Sequence, residues 1–261
     1  MQISLELLQD LFARQLAFGV WPFFRIAGAF MVAPVFGARL VPMRVRLALT
    51  VAATVVIAPL LPATQPFELS LPTAVLVARE VVVGVAMGFC LQMIFDALIV
   101  AGQTIAMGMG LGLATMIDPQ RGISVPVVSQ FFVILGLLIF LSLGGHLATV
   151  RLLADSFELL PVGSGFSRDG LWQVVAWGSQ MFAGAVRIAL PAATALLVAN
   201  IAFGVMSRAA PSLNLFAVGF PITLVFGLVI VLVGLPALQS SFIELLGHAF
   251  VLVRALLGGG A

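Results

Sequence analysis

Long apolar stretches dominate the chain, and several of them approach the length of about 20 residues that a helix needs to cross a bilayer. Beyond the last stretch, apolar residues recur at helical spacing from Leu238 to Val253, which indicates an amphipathic C-terminal helix. The pattern predicts an all-α membrane protein with about six apolar, kinked helices or helix hairpins and this amphipathic tail. The predicted spans cover residues 11–36, 47–61, 74–100, 126–150, 171–206 and 213–235.

Residues 101–125 interrupt this pattern, because the segment is apolar but rich in glycine. Each of its glycines lowers helix propensity by roughly 1 kcal/mol relative to alanine. We therefore predict a broken helix or a re-entrant loop here rather than a seventh span. Non-helical backbone is tolerated at membrane depth only where protein shields it or where it lines a wet cavity.

Methionines flank the glycines in this segment, and methionine is flexible enough to fill irregular gaps. One hypothesis is that the segment forms a deformable hydrophobic seal around a pore, since apolar constrictions can close channels. The alternative is an ordinary buried loop. The candidate seal residues are Met107, Gly108, Met109, Gly110, Leu111, Gly112 and Leu113.

Small and helix-bending residues are frequent in the predicted spans. Gly84 and Gly88 have the four-residue spacing that permits close helix approach, which we interpret as packing within the chain rather than dimerisation. Proline removes a backbone donor and kinks a helix. Bends or breaks are therefore predicted at Pro22, Pro34, Pro191, Pro221 and Gly227.

Composition excludes most classes of soluble protein. Hydrophobic residues make up 62% of the chain and charged residues only 8%, against about 25% charged residues in soluble domains. So few ionic side chains cannot coat a soluble globule of 261 residues. The net charge of +2 is not gathered into a basic patch, so no nucleic acid partner is predicted.

Catalytic chemistry has little support in the sequence. The chain has no lysine, and its two histidines, His146 and His248, are too far apart in sequence for a zinc-binding pair. The motif Gly163-Ser164-Gly165 lies in a polar loop and is best explained as a flexible turn. We predict that the protein is not an enzyme and holds neither a metal nor a cofactor.

Ionic residues inside the predicted spans are the main polar feature, since each costs at least about 2.5 kcal/mol at mid-bilayer. They could line an ion or proton path. They could also form charge pairs or contact partner subunits and so lock an assembly. The second interpretation is favoured, because both signs occur and the carboxylates do not cluster. These residues are Arg25, Arg79, Glu80, Asp96 and Arg187.

Three further segments carry a family resemblance: residues 25–46, 116–131 and 206–221. The third has the most specific pattern, Arg-x-x-Pro-x-x-Asn-x-Phe-x-x-Gly-x-Pro, beginning at Arg208 and ending at Pro221. Together they resemble the FliR family, the R (or T) subunits of the type III secretion export gate. The resemblance covers nearly the whole chain.

The resemblance implies a non-enzymatic, pore-forming subunit that passes unfolded flagellar proteins across the bacterial inner membrane, in the flagellar basal body. It implies FliP and FliQ as partners in the gate, FlhA and FlhB as further export partners, and contact with membrane lipid. It also implies a FliP-like part over residues 1–205, with a gate or plug loop at about 101–125. Residues 206–261 would then form a FliQ-like helical hairpin and tail.

Roles for individual residues follow from the same resemblance. The family has a central plug, and the matching stretch here is 106–115, which contains the candidate seal. We also hypothesise a role in subunit assembly, since the prolines of the third motif would bracket a bent connection and its arginine would lie near a helix end. The residues are Arg25, Arg39, Arg208, Pro211, Asn214, Phe216, Gly219 and Pro221. A tight turn between two spans explains the third motif equally well. The alternative function is a secondary transporter for a small solute, since broken helices and buried charges fit that class too.

Overall fold

Helices make up nearly all of the described part of the chain. The computed structural model describes residues 5–38, 41–61, 70–111, 126–209 and 215–258, without the side chains of residues 5–18, 207 and 215–218. These ranges contain no strand, which confirms the predicted all-α class. The α-helices are α1 (Leu5–Val32), α2 (Met43–Ile57), α3 (Leu71–Gly108), α4 (Val127–Ser142), α5 (Gly145–Leu159), α6 (Arg168–Ala209) and α7 (Leu215–Gly258), and a 3₁₀ turn (Ala58–Leu60) follows α2.

Four helical segments in the described ranges are long and apolar enough to cross a membrane: Met43–Leu60, Leu71–Gly108, Arg168–Met206 and Gly219–Gly258. A fifth is obtained if α4 and α5, which are separated by a break at Gly144, count as one span. The predicted span at 11–36 overlaps α1, and the part of α1 whose side chains are described, Gly19–Val32, is apolar. Hydropathy identified the apolar stretches, but it does not show where each helix begins and ends.

The prediction of a broken helix from residue 101 onward is wrong for residues 101–108, because α3 continues to Gly108. A Cβ atom at Gly102 would lie 2.5 Å from Ser129 Cα, so α3 and α4 pack with their backbones in contact there. Ser129 Oγ also donates a hydrogen bond to Ile99 O at 2.9 Å. This packing offsets the low helix propensity of glycine. Residues 112–125 lie outside the described ranges.

Prolines inside the helices do not end them. Pro22 lies within α1, Pro191 within α6, and Pro221 and Pro236 within α7. The predicted sixth span and amphipathic tail are therefore one helix of 44 residues. Proline removes one backbone hydrogen bond from a helix. Ending the helix there would leave more backbone groups without partners in an apolar environment, which costs more, so the helix continues.

Two compact units divide the chain, each assembled from separate stretches. Unit 1 comprises residues 1–92, 140–177 and 248–261, and unit 2 comprises residues 93–139 and 178–247. Their boundaries differ from the division near residue 205 that the family resemblance implies. That division concerns likeness to two other subunits, and it stays a prediction.

In unit 1, α1 and α3 pack through small residues. A Cβ atom at Gly28 would lie 2.5 Å from Val81 O, and one at Gly88 would lie 2.6 Å from Ala29 O. A Cβ atom at Gly84 would overlap Arg25 O. Only glycine permits these backbone contacts, so the prediction that Gly84 and Gly88 serve packing within the chain is confirmed.

In unit 2, aromatic and aliphatic side chains fill the space between α3, α4 and α7. Phe95 and Phe242 form an edge-to-face pair with ring centroids 5.5 Å apart, a geometry that aromatic quadrupoles favour. Gly136 on α4 provides the space that Leu98 and Phe242 occupy. These contacts fix residues 95–98 of α3 within unit 2, ahead of the last turn of the helix.

Candidate functional site

The predicted seal begins as the end of α3 and continues as a tight turn. Gly110 N donates to Met107 O and Leu111 N donates to Ala106 O, each at 3.0 Å. Gly110 has a φ of +81°, in the left-handed region that glycine adopts without penalty. This pair of hydrogen bonds is the Schellman arrangement that ends helices. We call residues 107–111 the methionine turn.

Met109 fills a notch in α7. Its side chain is 0% exposed. A Cβ atom at Gly227 would lie 2.5 Å from Met109 Cγ, 2.8 Å from Cε and 2.9 Å from Sδ. Three atoms of the same side chain therefore occupy the volume that any other residue at position 227 would need.

Helix α6 holds the neighbouring residue of the turn through a hydrogen bond. Asn200 Nδ2 donates to Gly108 O at 3.0 Å. Carbonyls in the last turn of a helix have no partner within the helix, so this side chain satisfies one of them. Leu196 lies one turn earlier on α6 and packs against Gly108. A Cβ atom at Gly108 would lie 3.2 Å from Cδ1 of Leu196.

Met107 has a different environment from Met109, because its side chain is 60% exposed. The sequence analysis predicted the same sealing role for both methionines. In the structure Met109 is buried against α7, whereas Met107 is mostly exposed. Gly112 and Leu113, the last two candidate seal residues, lie outside the described ranges.

A buried charge cluster occupies the core of unit 1. Arg25 Nε and Glu80 Oε2 form an ion pair at 2.7 Å, and both side chains are 0% exposed. Arg25 Nη1 also donates to Ser156 O at 2.8 Å and to Ser156 Oγ at 3.1 Å. The guanidinium lies 4.1 Å from the centroid of the Phe157 ring, within the range of a cation–π contact.

The second carboxylate oxygen of Glu80 is also occupied, since Gly163 N donates to Glu80 Oε1 at 3.1 Å. The cluster thus connects α1, α3, α5 and the loop before α6. Both side chains are buried, and each is held by its ion-pair partner and by a group from a third element of unit 1. The arrangement fits a structural pair.

Of the other predicted intramembrane charges, Arg79 contacts the same Gly163 backbone as the cluster, whereas Arg187 and Asp96 belong to unit 2. Arg79 Nη1 donates to Gly163 O at 3.2 Å, and Arg187 Nη1 pairs with Glu244 Oε1 at 2.9 Å on the surface of unit 2. Asp96 is partly buried in the unit 2 part of α3. The described residues contain no group of three or more His, Cys, Asp or Glu side chains that could hold a metal ion.

The described residues among those predicted for subunit assembly are divided between the two units. Arg25 belongs to unit 1, whereas Arg208, in the last turn of α6, and Gly219 and Pro221, near the start of α7, belong to unit 2. Arg208 and Pro221 are exposed and Gly219 is buried. Arg39, Pro211, Asn214 and the side chain of Phe216 lie outside the described part of the chain.

Sequence reasoning missed the residues that surround the methionine turn. Asn200 carries a side-chain amide inside an otherwise apolar stretch of α6, and that polarity was the available signal. Gly227 was interpreted as a possible helix break, but it lies within α7 and provides the notch for Met109. Which partner each residue meets depends on helix packing, and periodicity does not contain that information.

Comparison with known proteins decides the family. The family model described as "Bacterial export proteins, family 1" matches residues 16–249. The chain belongs to the FliR family of bacterial export proteins. It is 34% identical over 238 residues to the flagellar biosynthetic protein FliR of Escherichia coli K12, and 37% identical over 238 residues to that of Pectobacterium carotovorum. Each match covers 91% of both chains.

The chain is also 36% identical over 223 residues to FliR of Aquifex aeolicus, covering 84% of this chain and 85% of that one. Membership of the FliR family, together with the apolar helices, makes this chain a membrane protein of the flagellar export apparatus. The predicted family resemblance is therefore confirmed.

Proposed function

We propose that this chain is a non-enzymatic, pore-forming subunit of the flagellar type III export gate in the bacterial inner membrane. Unfolded flagellar proteins would pass through a conduit to which this chain contributes one wall. FliP and FliQ would supply the neighbouring walls, and FlhA and FlhB would act with the assembled gate. FliR membership and the apolar faces described next support the proposal.

The observation that carries this proposal is the unequal burial of the apolar helices. In the most apolar window of α3, 67% of residues are buried within the chain, whereas the share is 22% in both α6 and α7. Large apolar side chains such as Leu197 and Ile201 on α6 and Leu232 on α7 are exposed. Helices of this kind need either lipid or other apolar subunits around them.

The methionine turn supports a role in closing the conduit. It belongs to unit 2, which also contains the exposed faces of α6 and α7. Met107 presents a flexible apolar side chain, while Met109 and Gly108 are attached to the surrounding helices. A hydrophobic constriction of this type excludes water and ions until it is displaced.

Deletion of Met107–Gly112 tests this role. We expect a higher ion conductance through the assembled complex, measured in planar bilayers, because the apolar constriction is lost. The control is Met107→Gln, which keeps the turn and places a polar side chain at its exposed position, and which should raise conductance less. Unchanged conductance in the deletion variant would contradict a role of the methionine turn in closing the gate.

Assembly is tested by detergent extraction and mass measurement of the proteins that co-purify with the chain. We expect small apolar subunits of the FliP and FliQ type in a stable complex. We also propose an assembly role for the residues at the end of α6, where a positive charge is favourable near the helix terminus. Arg208→Ala should lower recovery of the complex, and normal recovery would contradict that role.

A solute transporter has weaker support. Unit 2 contains a cavity of about 330 Å³, large enough for a small solute. All the residues that line it are apolar, including Ile105, Phe132 and Leu238. A transport site for a polar solute needs convergent polar groups to fix the orientation of the solute.

A further inference from the structure

We propose that Asn200 and Gly227 form a latch for the methionine turn, and that Met109 must leave its notch before the conduit opens. This inference rests on the proposed function, because it concerns how the same gate is held shut. It assigns different roles to the two methionines. Met109 holds the turn in place, and Met107 presents the apolar surface.

The first step is the difference in burial between the two side chains. Met109 is 0% exposed and Met107 is 60% exposed, although they lie two residues apart. A sealing residue must face the space that it closes, which fits Met107. A side chain enclosed by its own unit has no such access, so Met109 contributes by fixing the position of the turn.

The second step is the shape of the notch. Any side chain at position 227 would meet the outer atoms of Met109, which start 2.5 Å from the Cβ position. Gly234, two turns later on α7, has nothing within 4 Å of its Cβ position. The glycine at 227 is therefore explained by Met109, while the glycine at 234 has no such neighbour.

The third step is that the latch contacts can be released without unfolding the turn. The hydrogen bonds that shape the turn run within residues 105–111, from Met109 N to Ile105 O, from Gly110 N to Met107 O and from Leu111 N to Ala106 O. Among the described residues, the contacts of the turn to other helices are one hydrogen bond from Asn200 and apolar packing. Methionine is unbranched and changes rotamer easily, so it can leave the notch while the turn persists.

A reversible cross-link tests whether the latch must open. Residues 109 and 227 are replaced by cysteine in a chain that also carries Cys90→Ala, which removes the buried native thiol. A sulfur at the position of Met109 Cγ would lie 2.5 Å from the Cβ atom at 227. A disulfide requires roughly 3 Å for that separation, so a small adjustment permits the bond.

We expect the oxidised double-cysteine complex to lose export of flagellar proteins and to regain it after reduction. The matched control is the pair Met109→Cys and Gly234→Cys, which should neither cross-link nor respond to the oxidant. Failure to cross-link 109 to 227 would overturn the geometry of the latch. Cross-linking with normal export would overturn the requirement that Met109 leaves the notch.

A second experiment alters the notch without a cross-link. Gly227→Ala should displace Met109 and raise the basal ion leak of the assembled complex several-fold, whereas Gly234→Ala should leave the leak at the wild-type level. Adding Met109→Ala to Gly227→Ala removes the atoms that clash and should bring the leak back toward that of Met109→Ala alone. Asn200→Ala should give a smaller rise than Gly227→Ala.

Equal leak in the variants at 227 and 234 would overturn the latch. The proposed function fails by a different result, namely unchanged conductance when Met107–Gly112 is deleted. If deletion of Met107–Gly112 raises the conductance but Gly227→Ala does not, the role of the turn in closing the conduit is supported and the latch is contradicted.

Discussion

Two regions at opposite ends of the same long helix are held by different kinds of contact. In unit 1, the α3 residue Glu80 is fixed by an ion pair with Arg25 and a hydrogen bond from Gly163 N. In unit 2, the end of α3 is fixed by one neutral hydrogen bond from Asn200 and by the fit of Met109 against Gly227. The first region is therefore held mainly by electrostatic attraction, and the second mainly by close apolar packing.

The difference has a physical consequence for motion. Separating a buried ion pair leaves two charges without compensation in an apolar interior, which costs several kcal/mol. Displacing a methionine and one neutral hydrogen bond costs much less, since each such bond contributes about 0.5–1.5 kcal/mol net. Unit 1 is therefore suited to hold the chain together, and the turn in unit 2 is suited to move.

The largest expected effect comes from breaking the charge cluster. Glu80→Ala leaves Arg25 charged and buried, and we expect the free energy of unfolding in detergent to fall by about 3–5 kcal/mol. The control is Asp155→Ala, which breaks the exposed pair with Arg254 in the same unit and should have little effect.

The double variant Arg25→Met with Glu80→Leu sharpens that comparison, because it removes both charges and keeps apolar volume. It should recover most of the stability lost in Glu80→Ala, as apolar replacements of buried ion pairs commonly do. A double variant as unstable as Glu80→Ala would show that the contacts to Ser156 and Phe157 matter more than the ion pair.

The next largest effect is expected at the contact between α1 and α3. Gly84→Ala places a methyl group against Arg25 O, and overpacking of this kind costs about 1–3 kcal/mol. Gly19→Ala on α1 is the matched control, since nothing lies within 4 Å of its Cβ position. The midpoints of thermal unfolding of the two variants in detergent provide the comparison, and equal midpoints would contradict the close packing.

Much of the fold could be predicted from the sequence, because apolar stretches and glycine spacing are local properties of the chain. The all-α class and the packing role of Gly84 and Gly88 follow directly from them. The ends of helices were harder to predict. Gly102 and Gly110 both have low helix propensity, but Gly102 is held inside α3 by Ser129, whereas Gly110 ends the last turn with a positive φ.

Less of the candidate site could be predicted, because its contacts join residues that are far apart in the chain. Arg25 and Glu80 are separated by 55 positions, and Asn200 and Gly108 by 92. The cost of an isolated buried charge indicated that Arg25 needs a partner. It did not indicate which acidic residue would supply it.

A smaller effect is expected at the methionine turn itself. Gly110→Ala places a Cβ atom on a residue with positive φ, which costs roughly 1–2 kcal/mol. We expect faster hydrogen exchange at residues 106–111, measured by mass spectrometry, because the terminal hydrogen bonds loosen. Gly204→Ala on α6, with open space around its Cβ position, should leave this exchange unchanged. Unaltered exchange in the Gly110 variant would contradict the Schellman arrangement.

The smallest effect is expected at the exposed ion pair of unit 2. The side chains of Arg187 and Glu244 are 61% and 51% exposed, so solvent screens their attraction, and such pairs contribute about 0.2–1 kcal/mol. Arg187→Ala should change the midpoint of thermal unfolding only slightly, and the change should shrink further at high salt. A large loss of stability in the isolated chain would show that charge also fixes unit 2. A large loss that appears only in the assembled complex would instead place Arg187 at a subunit interface, and it would preserve the contrast between the two units.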